Sequence, residues 1–171
     1  MRARYATKTS VSVQRTAQEI EDLLSKYGAK AFTRGWGPNG AMIQFATNDR
    51  RLRFNLPLPD RNSRQFTHAK SGRGSYMKVR SQSDAQYAYE QVERQRWRAL
   101  LLTIKAKLEA VAVGISTFES EFLSNIIDPV TGQTVGESVM PALIERYKGI
   151  DAPLLGLPAP ERRTVDGEIV E

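Results

Sequence analysis

The sequence predicts an α+β fold, in which a small antiparallel sheet of three to four strands packs against a short N-terminal helix and a long helix. Two observations support it: an apolar stripe at helical spacing precedes three alternating segments, and a longer helical stripe follows them. The 171 residues, 40% of them hydrophobic, suit one domain with its own core. We expect that domain over residues 1–149, with a short C-terminal helix. Residues 150–171 are expected to form a flexible, proline-rich acidic tail.

The N-terminal helix is predicted over residues 16–27. Its apolar residues fall at i, i+3, i+4 and i+7 and therefore share one face: Ile20, Leu23, Leu24 and Tyr27. Thr16 and Glu19 have the spacing of a capping box, and Gly28 is a residue typical of a helix end. Residues 9–13, TSVSV, alternate and predict a short strand before this helix.

Three strands are predicted next, over residues 30–36, 41–47 and 50–58. The two-residue turn Asn48-Asp49 sets the register of the second hairpin. It pairs Thr47 with Arg50, Phe45 with Leu52 and Ile43 with Phe54. The face predicted to line the core carries Ala41, Ile43, Phe45, Leu52, Phe54 and Leu56. The outer face carries Met42, Gln44, Ala46, Arg51, Arg53 and Asn55.

The first strand has two readings, which depend on the length of the loop around GPNG. Phe32, Arg34 and Trp36 share a face. A loop of two or four residues places them on the core side, which is favoured because the opposite face would pack poorly. A loop of three residues places them outside, where aromatic and basic side chains would suit base stacking. Pro57 and Pro59 are expected to end the sheet pairing.

A long helical region is predicted over residues 83–126. Its stripe at close to helical spacing consists of Trp97, Leu100, Leu101, Ile104, Leu108 and Val111. Because the region exceeds an ordinary helix, it is either two helices hinged near Gly114 or one helix that extends beyond the sheet. A turn is predicted over residues 128–136 and a short helix over residues 138–149.

The charge is distributed unevenly. The net charge is +6, but residues 1–80 hold 16 Lys+Arg and 5 Asp+Glu, whereas residues 81–171 hold 9 and 14. A basic half favours an acidic partner, with nucleic acid ahead of a membrane surface. The chain has no cysteine, which excludes disulfides and thiolate metal sites. No apolar run suggests a signal peptide or a membrane span, so a cytoplasmic protein without a membrane partner is expected.

The basic charge is concentrated in a predicted loop, residues 59–82. Within it, RNSRQFTHAKSGRGSYMKVR (residues 61–80) has six basic residues, two aromatics and no acid. The residues predicted to hold phosphates are Arg51, Arg53, Arg61, Arg64, Lys70, Arg73, Lys78 and Arg80. Phe66 and Tyr76 are predicted to stack on unpaired bases. The alternative is a solvated connection whose charge only aids solubility.

Candidates for catalysis are weak. His68 is the only histidine, so no histidine pair is available to bind zinc. Asp49 and Asp60 suggest a divalent-metal nuclease, although each also suits a turn. No nucleophile elbow or phosphate-binding glycine motif is present. We therefore expect no catalytic residue, metal or cofactor.

Two resemblances bear on the chain. Its order of helix, three antiparallel strands and helix resembles that of double-stranded-RNA-binding domains, but the consecutive lysines that begin the last helix of that family are absent. RRLRFNLPLPD and YEQVERQRWRALLLTIKAKLEAV are similar to a family of small uncharacterised proteins of tailed phages and prophages, over about residues 9–148. That resemblance implies a viral or prophage origin and supplies no activity, cofactor or site.

The predicted function is non-catalytic nucleic-acid binding in phage DNA metabolism, with single-stranded DNA favoured over duplex DNA or RNA. One alternative is a phage accessory protein that binds another protein or forms a homo-oligomer through the long helix. The other is the metal-dependent nuclease.

Overall fold

The computed structural model describes residues 5–37, 40–47, 49–70 and 76–150, together with the backbone of 164–165 and 168–169. The predicted α+β class is confirmed. The helices are α1 (Val13–Lys26), α2 (Arg64–Thr67), α3 (Gln82–Ala112), α4 (Phe118–Phe122) and α5 (Val135–Tyr147), with a 3-10 turn at Leu123–Asn125. The strands are β1 (Lys30–Gly37), β2 (Gly40–Thr47), β3 (Arg50–Pro57), β4 (His68–Lys70), β5 (Met77–Val79), β6 (Thr164–Val165) and β7 (Glu168–Ile169).

Helix α1 begins earlier than its sequence suggests. Ser12 is its N-cap, and the side-chain oxygen of Ser12 accepts a hydrogen bond from the amide of Arg15 at 3.2 Å. The capping box predicted at Thr16 is therefore wrong: Thr16 is buried inside the helix, and its hydroxyl donates to the Ser12 carbonyl. The strand predicted at residues 9–13 is also wrong, because residues 9–12 are irregular and Val13 already belongs to the helix.

The three-stranded sheet has the predicted register. Strands β1, β2 and β3 lie side by side in that order, and Phe45 is opposite Leu52 while Ile43 is opposite Phe54. All six residues of the predicted core face are buried. Phe45 stacks on Phe54 at a centroid distance of 6.2 Å, and Phe122 of α4 meets Phe54 edge-on at the same distance. The sheet thus packs its apolar face on α1, α3 and α4.

Strand β1 has the predicted arrangement in which Phe32 and Trp36 lie on the core side of the sheet. Gly37 pairs with Gly40, so the connection has two residues, and Trp36 lies opposite Ala41. Phe32 packs against the core. Trp36, however, remains 60% exposed, because it lies near the end of the edge strand, where its ring is 6.4 Å from the ring of Trp97.

The long helical region is two helices. Helix α3 spans 31 residues, about 46 Å at 1.5 Å per residue, and Gly114 follows its end with a φ of +75° that glycine adopts without strain. Helix α4 then starts at Phe118. The side of α3 that faces the core buries Tyr89, Trp97, Leu100, Ile104 and Leu108.

The chain after α4 covers the free edge of β3. Ile126 forms an isolated bridge with Leu52, and the Ile127 amide donates to the Arg51 carbonyl at 2.8 Å. The predicted turn is confirmed within residues 128–133. Helix α5 starts three residues earlier than predicted, because Thr134 and Glu137 form a capping box there.

None of the described helices is long and apolar enough to cross a membrane. Strands β6 and β7 pair with each other in antiparallel fashion. The rest of the predicted tail, residues 151–163, 166–167 and 170–171, lies outside the described residues, so its flexibility stays a prediction.

Candidate nucleic-acid interface

Most of the described residues of the predicted basic loop have regular structure. After a turn at residues 61–62, helix α2 leads directly into β4, which pairs with β5 as a two-stranded antiparallel ribbon. The Arg80 amide extends the pairing by donating to the Thr67 carbonyl at 2.8 Å. Residues 71–75, which connect the two strands and include Arg73, lie outside the described residues.

The ribbon distributes its cations over both faces. Since paired residues of an antiparallel ribbon share a face and neighbours along a strand alternate, Lys78 lies on the face of Ala69, and Arg80 follows on that same side. Lys70 lies on the other face, opposite Met77. Lys70 and Lys78 are both exposed. We call Arg61, Arg64, Lys70, Lys78 and Arg80 the basic patch.

The two predicted stacking aromatics differ in exposure. Phe66 is only 2% exposed and meets the ring of Tyr89 edge-on at 5.4 Å. The stacking role predicted for Phe66 does not fit this burial, because the ring anchors α2 to α3. Tyr76, in contrast, is 67% exposed beside the ribbon and presents its ring to solvent. Burial of Phe66 therefore positions the patch rather than adding a contact surface to it.

Arg61 is held at the start of the patch by an aromatic ring and a carboxylate. Its guanidinium carbon lies 4.7 Å from the centroid of the Tyr89 ring, a cation–π distance. Burial raises the pKa of the nearby Glu93, and the positive charge of Arg61 partly offsets that rise. Arg61 is thus oriented without a close ion pair among the described residues.

The two arginines predicted on the outer sheet face do not join the patch. Arg53 is bound to the Glu137 carboxylate at 2.6 Å and donates to the Gly132 carbonyl at 3.2 Å, so it links the sheet to α5, and the phosphate contact expected of it stays a prediction. Arg51 is exposed, but it lies six positions before Pro57 along β3, about 20 Å of strand. A ligand on the patch would not reach it without covering that distance.

A second polar cluster is centred on Glu137 and includes Thr134, Arg53 and Asn55. Its carboxylate accepts from the Thr134 amide at 2.8 Å, from Arg53, and from the Asn55 side-chain amide at 2.8 Å. The Thr134 amide is the main cause of a lowered pKa at Glu137. Burial opposes this by raising the pKa, and the hydrogen bonds from Arg53 and Asn55 lower it further.

Several other described arginines form ion pairs. These pairs are Arg15–Glu19, Arg34–Glu21, Arg50–Glu119, Arg94–Glu90 and Arg98–Glu19. By contrast, no described carboxylate forms an ion pair with Arg64, Lys70, Lys78 or Arg80. Because these four cations belong to one segment that contains no acid, they concentrate positive potential on the patch.

The two candidate acids lie in or beside turns, and the candidate His68 begins β4. Asp49 has a φ of +59° in the β2–β3 turn, and the Asp60 carboxylate accepts from the Asn62 amide at 2.9 Å. His68 Nδ1 lies 2.8 Å from the Thr67 hydroxyl. Within the part of the chain that the structure describes, no three acidic or histidine side chains lie close enough together to hold a metal ion.

Two exposed features were not assigned to a site from the sequence. The first is the Trp36 ring, whose side of the sheet was predicted but whose position at the end of an edge strand was not. The second is α5, in which none of the described side chains is buried. The signal for α5 was present in the sequence, since Met140, Leu143, Ile144 and Tyr147 repeat at helical spacing, but periodicity alone cannot tell whether such a stripe is covered.

The fold and the patch together define an α+β protein with a basic two-stranded ribbon beside its sheet. Comparison with known proteins adds no identity to this class: no family model, no curated protein and no solved structure matches the chain.

Proposed function

We propose that this protein binds nucleic acid without catalysing a reaction, that single-stranded DNA is its preferred ligand, and that it serves phage DNA metabolism. The observation that supports the proposal best is the basic patch, whose ribbon and α2 cations have no described acidic partner. The described residues of this segment, 61–70 and 76–80, contain five Lys+Arg and no acid.

Unpaired cations of this kind suit a phosphate backbone. Each Lys or Arg that neutralises a phosphate releases a condensed counterion, so the affinity gain is mainly electrostatic and falls as salt increases. The patch also projects cations from both faces of a ribbon, which allows one strand of nucleic acid to contact it from either side. The exposed Tyr76 ring adds a stacking surface that every unpaired base can use.

The ribbon also bears on duplex DNA. A two-stranded β-ribbon is narrow enough to enter the major groove of B-form DNA, which makes duplex DNA the main competing ligand. Single strands are favoured because the Tyr76 ring is exposed and can stack on an unpaired base.

The test is a salt series of fluorescence anisotropy with labelled single-stranded DNA, duplex DNA and RNA of equal length. We expect the logarithm of the affinity to fall linearly with the logarithm of salt concentration, with a slope that grows by about 0.7 for each phosphate neutralised on a single strand. The triple variant Lys70→Gln, Lys78→Gln, Arg80→Gln should bind more weakly and with a shallower slope.

A control of equal charge separates the patch from the net charge of the protein. Lys26, Lys30 and Lys105 are exposed on α1, β1 and α3, and their triple change to Gln removes the same three positive charges. We expect it to keep most of the wild-type affinity. Equal losses of affinity for the two triple variants would show that binding depends on the net charge of the protein and not on the patch. An absent or salt-insensitive anisotropy signal for all three ligands would refute nucleic-acid binding.

A second candidate function is self-association as a phage accessory protein. The long helix does not favour it, since the apolar stripe of α3 is buried in the core. Helix α5 does: Met140, Leu143, Ile144 and Tyr147 form one exposed stripe, with Tyr147 87% exposed. Two copies packing these stripes together would bury apolar surface that water now covers.

Sedimentation velocity without nucleic acid tests this second function. If α5 mediates association, the protein should sediment as a dimer or larger, and Ile144→Glu should return it to the monomer, since a charge would be buried at the interface. Glu145→Lys, a charge change on the same helix beside the stripe, is the control. A wild-type monomer at all concentrations would exclude self-association.

A further inference from the structure

A cleft runs between the end of the β1–β2 hairpin and the start of the basic patch. Its volume is about 640 Å³, and its walls include Trp36 and Gly37 on one side and Arg61, Tyr89 and Glu93 on the other. This volume lies in the range that holds a small ligand or a single nucleotide. The cleft therefore lies between Trp36, the most exposed aromatic ring of the sheet, and Arg61, the first cation of the patch.

The sheet wall of the cleft is an accessible aromatic surface. Trp36 is 60% exposed, while Trp97 behind it is fully buried and supports it at a ring-centroid distance of 6.4 Å and an angle of 40°. The exposed part of the ring lines the cleft, where a second flat ring could stack on it.

The opposite wall combines a cation with hydrogen-bond acceptors. Arg61 is held over the Tyr89 ring, and the half-buried Glu93 lies within electrostatic reach of it. An arginine suits a phosphate, and an ionised carboxylate accepts hydrogen bonds but donates none, so it pairs with donor groups such as N–H. Among unpaired bases, guanine presents two adjacent N–H donors on its Watson–Crick edge, a pattern that matches the two oxygens of a carboxylate.

We propose that this cleft holds one unpaired guanine of a bound strand, with its ring stacked on Trp36, its Watson–Crick edge on the Glu93 carboxylate, and the adjacent phosphate on Arg61. The inference rests on the proposed nucleic-acid binding and adds a base-selective position to it. The patch then supplies sequence-independent affinity, while the cleft reads one base.

The two tryptophans make the test direct, because one is exposed and the other is buried. Intrinsic fluorescence is measured on the full chain, titrated with oligothymidylate that carries one central dG, or dA, dC or dT at the same position. We expect the dG strand to bind most tightly, to quench the emission and to shield it from acrylamide. Trp36→Phe should abolish the acrylamide-accessible component of the free protein and the quench.

Variants separate stacking from edge recognition. Trp36→Ala should weaken binding of all strands by roughly tenfold, the usual cost of one lost stacked base. Glu93→Gln should remove the preference for dG over dT, since an amide presents a donor to one guanine N–H. Tyr147→Ala, an exposed aromatic on α5, is the matched control and should bind as wild type. Circular dichroism checks that each variant is folded.

The outcomes distinguish this inference from the proposed function. If strands bind in a salt-dependent way but Trp36→Ala binds as wild type and no quench occurs, the cleft inference is wrong and the patch proposal stands. If no strand binds at all, both fail. If free dGMP quenches as strongly as the dG strand at equal concentration, the cleft is a nucleotide site, and its role in strand binding is overturned.

Discussion

Replacement of Glu137 by Ala tests how the sheet holds its C-terminal helix. The change removes three interactions at once: the capping box with Thr134, the ion pair with Arg53 at 2.6 Å and the hydrogen bond from Asn55 at 2.8 Å. Loss of a helix cap costs about 1 kcal/mol. A hydrogen bond to a charged group is worth about 1.5–3 kcal/mol, which we place at the low end because the Glu137 side chain is 39% exposed.

The expected total is a loss of about 2–3 kcal/mol in the free energy of unfolding. For a domain of this size, 1 kcal/mol shifts the Tm by about 2–4 °C, so Glu137→Ala should lower it by about 5–10 °C. The assay is thermal unfolding by circular dichroism at neutral pH. Glu145→Ala, which removes only a solvent-exposed i, i+3 pair with Lys148, is the control and should cost less than about 0.5 kcal/mol.

The pH dependence gives a second check on the same residue. The pKa of Glu137 is lower in the folded protein than in the unfolded chain, so the folded state favours the ionised form. Its contribution to stability is therefore complete above the unfolded pKa and is lost as pH falls through the lowered folded pKa. In acid, the difference in Tm between wild type and Glu137→Ala should shrink to the part that comes from lost packing. An equal gap at neutral and acid pH, or a neutral-pH gap below about 2 °C, would refute the reasoning.

Three further predictions concern the sheet turn, the α2 anchor and the cleft. Gly40→Ala should destabilise the protein by about 1–3 kcal/mol or more in thermal unfolding, because Gly40 has a φ of +141° and an added Cβ would lie 2.2 Å from a β3 carbonyl oxygen. Gly37→Ala is the control and should leave the Tm unchanged, because a Cβ there meets open space. Similar Tm values for the two variants would contradict this reasoning. Phe66→Leu should lower the Tm through the lost aromatic pair with Tyr89, yet leave single-strand affinity within twofold; a large loss of affinity with no loss of stability would restore the stacking role. Glu93→Gln should raise the Tm at neutral pH, because burial raises the pKa of Glu93 and its negative charge costs stability once the pH exceeds the pKa of Glu93 in the unfolded chain. The gain in Tm should fade on acidification. A gain that persists in acid would exclude the buried charge as its cause.

Local sequence was sufficient where neighbours in the chain are neighbours in space. The β2–β3 register followed from a two-residue turn, and the core faces of both strands followed from alternation. The start of α1 could not be predicted in this way, because Ser12 and Thr16 can both cap a helix and only the burial of Thr16 against the core decides between them. The basic segment was identified by composition, but its ribbon has no strong alternation to predict it.

The site residues divide in the same way. Exposure of Lys70, Lys78 and Tyr76 agrees with what their residue types favour. Phe66 was misassigned because an aromatic in a basic segment suits a base and a core equally well, and the partner that buries it, Tyr89, lies 23 positions along the chain. The ion pair of Arg53 could not be anticipated, because Glu137 is 84 positions away and no local sequence pattern reports a partner at that distance.

The sequence by itself determined the α+β class, the strand register and the concentration of positive charge between the sheet and the long helix, because each depends on residue spacing within one segment. The tertiary structure alone decided which of those charges are free. Ion pairing and burial depend on contacts between distant segments, and these contacts neutralise Arg53 and cover Phe66 while leaving the ribbon cations and the Trp36 ring to solvent.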